Sequence, residues 1–138
     1  MKTLRDIDVA SVSMHSYYLA EKVRGITTAL MEMNRTEINT DLVMATHSAN
    51  TINYHVLIYA WSVALDPNMD QSDRLGQIRR CCHNLVRHTG SINSKIVDLS
   101  TTAAENARIC ISSTTKSAKR LLAILALDPL EDEDEETA

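Results

Sequence analysis

The chain has no phenylalanine, one tryptophan, three glycines, two prolines and three cysteines in 138 residues. Aromatics amount to only 4%, which leaves little to anchor a β core, and so few glycines and prolines leave long helices almost uninterrupted. Two cysteines are adjacent, Cys81 and Cys82, and the third is Cys110. They lack the paired spacings of small secreted domains, so a reducing compartment is expected. No stretch approaches the roughly 18 to 20 apolar residues of a membrane span. The segment Met1–Asp8 acquires charge at once and offers no apolar run for export, so the expected location is cytoplasmic. There is no glycine-rich phosphate loop, no Glu-x-x-His or His-x-x-x-His pair suited to a bundle metal site, and no recognisable Ser-His-Asp or Cys-His arrangement. No catalytic residue, metal or cofactor is therefore expected from motif reading.

What is present is apolar content of 44%, enough for a core without staples, arranged with helical period. Val9, Val12, Ser16, Leu19, Val23, Ile26, Leu30 and Met33 recur at steps of three and four, predicting a helix over about 5–33. After a polar stretch in which Asn39 or Thr40 is the expected cap, Leu42, Ala45, Ala49, Ile52, Val56, Tyr59 and Val63 predict a second helix over 39–65, stopped by Asp66-Pro67-Asn68. Leu75, Ile78, Cys82, Leu85, Thr89, Ile92, Ile96 and Leu99 predict a third over 71–99. No glycine or proline separates Gly90 from Pro129, and a single helix from Ser72 to Leu127 would extend about 84 Å, twice the length of its partners. A reversal at residues 98–102 is therefore expected, with Thr102 and Glu105 as a capping box for a fourth helix over 102–127. Four helices of similar length with short connections make an all-α, antiparallel up-down-up-down bundle over residues 1–127. The acidic segment 128–138 is expected to be a disordered tail.

Charge is unevenly spread beneath a net −4: residues 70–127 carry nine Lys/Arg against four Asp/Glu, whereas the tail carries seven acids and no base. The cations Arg79, Arg80, Arg87, Lys95, Arg108, Lys116, Lys119 and Arg120 form a candidate basic face of the third and fourth helices, able to contact phosphates. Nucleic-acid binding is thus a possible but unfavoured reading, since no nucleic-acid motif accompanies the charge.

Two segments are more apolar than a helical seam requires. His55–Leu65 is apolar nearly all round, which gives a second stripe of Tyr54, Leu57, Ile58, Trp61 and Leu65. Leu121–Leu127 is similar and contributes Leu122 and Ile124. Parallel second and fourth helices would put both runs at one end, so an apolar contact surface for a second copy or a protein partner is the favoured functional expectation. His15, His47 and His88 are expected at the surface or its boundary, and Cys81 outside the seam as a reactive thiol.

The sharpest alternative lies on the third helix. Cys82-His83-Asn84-Leu85-Val86, followed by Gly90-Ser91-Ile92-Asn93, resembles the phospho-acceptor helix of histidine phosphotransferases related to histidine-kinase dimerisation domains. The resemblance implies His83 as phospho-acceptor, Arg87 as its cationic neighbour and Gly90 as clearance for a receiver domain. It covers about a tenth of the chain. Asn84 stands where those helices usually carry an acid, and Val86 where a lysine often follows.

Overall fold

A computed structural model of the protein describes residues 6–33, 35–125, 127 and 130. It is an all-α four-helix bundle: α1 spans Asp6–Leu30 and continues as a 3-10 turn over Met31–Met33, α2 spans Thr36–Leu65, α3 spans Ser72–Ile96 and α4 spans Thr102–Ile124. Among the described residues α1 packs on α2 and α4, and α3 packs on α2 and α4. The diagonal pairs α1/α3 and α2/α4 do not approach closely.

The helix ends follow local chemistry with four departures from the sequence pattern, the last at the end of α4. Arg35, not Asn39 or Thr40, occupies the cap position of α2 and makes no side-chain cap bond. The helix begins earlier because Ile38 and Asp41 are both buried, so tertiary contacts outweigh the capping preference of Asn39 and Thr40. At the other reversal the cap of α4 is Thr101, one residue ahead of the expected Thr102, and its hydroxyl accepts from the Ala104 amide at 3.2 Å. α3 stops at Ile96, before the expected Leu99, and its terminal carbonyls are taken up by Arg108. That guanidinium donates to the carbonyls of Ile96 at 3.1 Å and Leu99 at 3.0 Å. Between α2 and α3, Asp66 accepts from the Asn68 amide at 3.1 Å, the Asx geometry that Asp-Pro-Asn favours.

The core divides into two clusters. One joins Leu19, Ile52, Val56, Tyr59, Ile78, Cys82, Leu85, Leu121, Leu122, Leu125 and others at the end where α2 and α4 terminate. The other joins Ile26, Leu30, Ile38, Leu42, Ile92, Ile96 and Ile111 at the opposite end. Between them on α3 and α4 stand the fully buried Thr89 and Thr114. Their hydroxyls donate to the carbonyls of Val86 at 3.2 Å and Cys110 at 2.7 Å, so this polar waist is satisfied within each helix.

The first cluster is closed by the chain beyond α4. The Leu127 amide bonds the Leu122 carbonyl at 2.9 Å, and Leu130 is buried against the core. The fourth helix was expected to reach residue 127, and the chain instead leaves helical geometry after Ile124. The expectation of a disordered tail over 128–138 is corrected at Leu130, which the apolar cluster holds buried; the other residues of that segment lie outside the described residues. No described helix is long and apolar enough to cross a membrane.

Candidate functional site

α2 commits one side to the core through Ile52, Val56 and Tyr59, yet its opposite side is also apolar. Tyr54, Leu57, Trp61 and Leu65 are 60%, 46%, 72% and 79% exposed. Their spacing of three, four and four puts them on one face over about 16 Å of helix. Ile58 flanks this face half-buried. A hydrogen bond at 3.0 Å from the Ser16 hydroxyl to Asn53 Oδ1 fixes α1 beside this part of α2. The exposed Met14 and Tyr17 of α1 therefore lie at the level of Tyr54 and Leu57, extending the apolar character of that side.

The α4 half of the expected surface is corrected. Leu122 is 1% exposed and belongs to the core, because Leu121, Leu122 and Leu125 straddle the seam of α4 and Leu127 and Leu130 fold over that end. Ile124 is half-buried against the same cluster. Since α2 and α4 sit on a diagonal, their outer faces point to opposite sides of the bundle, and no joint α2–α4 surface forms.

On α3, Ile78, Cys82 and Leu85 face inward and His83 and Arg87 stand exposed one turn apart. An added Cβ at Gly90 would meet nothing within 4 Å, so this side of α3 is open. His55 faces α3, where its Nδ1 accepts from Arg74 at 3.0 Å. Burial, then the adjacent Arg74 charge, lowers its pKa, and accepting at Nδ1 leaves the proton of the neutral ring on Nε2. Cys81, expected outside the seam as a reactive thiol, is half-buried against the core cluster, and burial pushes its thiol up, outweighing the nearby Arg80 charge. Cys82, deeper in the core, is pushed up to about 12 by burial and by its neighbour Cys81.

Two of the eight expected basic-face cations serve the fold. Arg108 caps α3 as described, and Lys95 reaches across to α2, donating to the Glu37 carbonyl at 2.8 Å and to Asp41 Oδ2 at 2.9 Å. Position explains the difference: Arg108 lies beside the carbonyls left free where α3 ends, and Lys95 lies beside the first turns of α2, where the Asp41 carboxylate accepts it. Arg80, Arg87, Lys116, Lys119 and Arg120 remain exposed, and Arg79 is half-buried.

Lys95 belongs to a polar network absent from the motif reading. Asp41, buried in α2, accepts from His88 Nδ1 at 3.0 Å, Ser91 Oγ at 2.8 Å and Lys95 Nζ at 2.9 Å. Burial by itself would raise the Asp41 carboxyl. The hydrogen bonds from His88, Lys95 and Ser91 and the Lys95 charge overcome it and hold the carboxyl below its ordinary value. The sequence did contain a signal: residues 88, 91 and 95 step by three and four beside the α3 seam, opposite an acid three residues after Ile38. Ser91 bonds the carboxylate directly and not through the histidine, so the group is not arranged as a nucleophile relay. Its chemistry is that of a clamp between α2 and α3. Among the described residues no three His, Cys, Asp or Glu side chains gather in a way that could hold a metal. A depression between α1 and α2 is lined by Ala20, Val23, Arg24, Thr27, Thr46, Ala49 and Asn50.

Comparisons with protein-family models, curated proteins and solved structures found no match to this chain.

Proposed function

We propose that the protein is a non-catalytic helical-bundle interaction module that self-associates through the outer face of α2. The observation that carries this reading is the exposed row Tyr54, Leu57, Trp61 and Leu65 on a helix whose core side is already filled. A fold needs one apolar face per helix, and a second face that is wet in the monomer loses free energy unless it is covered. Tyr and Trp supply large rigid contact area at low entropic cost, which suits Trp61 to the centre of such a contact. Two copies of one helix face can meet about a two-fold axis, each stripe covering the other. Sedimentation of the wild type and of Trp61→Ala tests the reading. Concentration-dependent association of the wild type, weakened in the variant, is expected. A wild type that stays monomeric at high concentration and captures no partner protein would remove it.

A second reading has its own support: His83 is exposed on α3, Arg87 is exposed one turn on, and the space at Gly90 is open. In this reading a phosphoryl group passes from the aspartyl phosphate of a receiver domain to a His83 ring nitrogen, with Arg87 balancing the added charge. Incubation with a phosphorylated receiver domain is expected to leave acid-labile phosphate on the wild type and none on His83→Gln. Persistence of the label in the variant would exclude His83 as the acceptor.

A further inference from the structure

Residues 74–97 and 106–124 contain nine Lys/Arg and not a single Asp or Glu. These stretches make up most of α3 and α4, which pack against each other. The bonds from Arg108 to Ile96 and Leu99 set their antiparallel register, so Lys116, Lys119 and Arg120 come level with His83 to Arg87. Arg80, Arg87, Lys116, Lys119 and Arg120 are all exposed. The ion pairs among the described residues, Arg24–Glu21, Arg35–Glu37, His88–Asp41 and Lys95–Asp41, involve none of these five. Arg80 donates at 3.4 Å to the neutral side chain of Gln77, which leaves its charge uncompensated. The net charge of −4 does not cancel the face, because charges more than about 10 Å away are largely screened at 0.1 M salt. The face therefore presents a local positive field to any polyanion that reaches it.

What accompanies these cations selects the polyanion. The tryptophan and all four tyrosines, Trp61, Tyr17, Tyr18, Tyr54 and Tyr59, lie on α1 and α2, so the face has none of these rings on which an unpaired base could stack. The exposed large apolar side chains Val97 and Ile109 lie toward the α3–α4 turn, away from the five cations, so the basic part of the face has nothing to insert among acyl chains. Past Arg87 and Lys116 the face continues with exposed Asn93, Ser94 and Ser112, neutral side chains of the kind that hydrogen-bond phosphate oxygens. A duplex, whose bases are stacked inside and whose phosphates form a regular outer array, suits a face of this composition. We propose that the α3–α4 face binds the sugar–phosphate backbone of a nucleic-acid duplex through Arg80, Arg87, Lys116, Lys119 and Arg120, without reading base sequence. Arg80 to Arg87 covers about 10 Å along α3 and Lys116 to Arg120 about 6 Å along α4. At about 3.4 Å of duplex axis per phosphate on each strand, each row has two or three phosphates within its length. The contact is carried by different helices from the α2 stripe and stands whether or not the chain self-associates.

Fluorescence anisotropy of a labelled, mixed-sequence DNA duplex titrated with the full chain across a salt series tests this. Five phosphate contacts predict that the logarithm of the association constant falls with the logarithm of salt at a slope of about −4.5, an affinity loss of about 500-fold between 50 and 200 mM. Arg87→Gln/Lys119→Gln and Lys116→Gln/Arg120→Gln, both pairs of surface changes, are each expected to reduce the slope to about −2.7 with urea unfolding unchanged. Arg24→Gln, an exposed change on α1, is expected to leave the slope at the wild-type value, and a duplex of unrelated sequence is expected to bind equally well. Absence of binding at 50 mM salt, a slope that neither double variant alters, or a slope that Arg24→Gln lowers as much would overturn the proposal. A single strand of the same length that binds more tightly would overturn the assignment to a duplex. Displacement by phosphatidylserine vesicles or polyglutamate as effectively as by unlabelled duplex would overturn the assignment to a nucleic acid.

Discussion

His55–Leu65 on α2 and Leu121–Leu127 on α4 are alike in composition and end at the same pole of the bundle, yet one is largely outside and the other inside. The α4 run puts Leu121, Leu122 and Leu125 on the seam, and Leu127 and Leu130 close over it. The α2 run fills its seam with Val56, Tyr59 and the half-buried Val63, and still has Leu57, Trp61 and Leu65 left over on the far side. An apolar run therefore signals a surface only after the seam has taken its share and any returning segment has covered the rest. Of these two runs, the one on α2 retains an unexplained face.

Substitutions in the two runs should separate them most sharply. Leu122→Ala is expected to cost about 2–5 kcal/mol in denaturant unfolding, as fully buried leucines do, and to leave association intact wherever the protein remains folded. Trp61→Ala should do the reverse, shifting stability by no more than about 0.5 kcal/mol while weakening self-association by roughly 30-fold, a hot-spot loss of about 2 kcal/mol.

The inner flank of α2 offers the next contrast. Asp41→Ala strands His88, Ser91 and Lys95 and should lower stability by about 1–3 kcal/mol; the partial exposure of Lys95 keeps the figure below that of a dry ion pair. The pH dependence has a determined sign. Because the folded Asp41 carboxyl lies below its ordinary 3.8, the clamp's contribution is complete above that pH and is lost as pH falls through the folded value. His55, held neutral beside Arg74, has a folded pKa below its ordinary 6.5, so its neutral contact is intact above that pH and weakens as acid protonates it. Stability should thus decline in two stages on acidification, the first absent in His55→Gln and the second reduced in Asp41→Asn, where the lowered Glu37 and Asp70 carboxyls still contribute, as followed by urea midpoints across pH.

Smaller effects distinguish the glycines. Gly76→Ala and Gly90→Ala, with nothing within 4 Å of the new methyl groups, should each stabilise the monomer by about 0.5–1 kcal/mol through helix propensity. At Gly25 the added Cβ would lie 2.9 Å from Cys110 Sγ, so α1 and α4 or the thiol must shift. Gly25→Ala should therefore forfeit that gain. Thermal unfolding of the three variants side by side provides the check.

The helices and their all-α packing were legible in the sequence because each seam repeats at the helical period and the reversals are marked by the polar stretch after Met33, by Asp66-Pro67-Asn68 and by the Ser/Thr-rich stretch after Leu99. The start of α2 was less legible, because buried Ile38 and Asp41 extend it past two good capping residues. Trp61 could be singled out from its place opposite Val56 and Tyr59, but the burial of Leu122 could not, since it depends on a segment beyond the helix turning back. The Asp41 clamp was hidden for a related reason: its four members come from two helices, and only their packing makes a buried acid and three donors one group.

Trp61 is the chain's single tryptophan, so fluorescence excited at the long-wavelength edge, where the four tyrosines do not absorb, reports this position alone. The emission maximum of the wild type, followed from about 0.1 μM to 1 mM, a range that brackets ordinary dimer affinities, tests self-association through α2 most directly. The account predicts solvent-exposed emission at the dilute end moving to shorter wavelength as the protein self-associates. Emission that stays at the solvent-exposed wavelength throughout would contradict it.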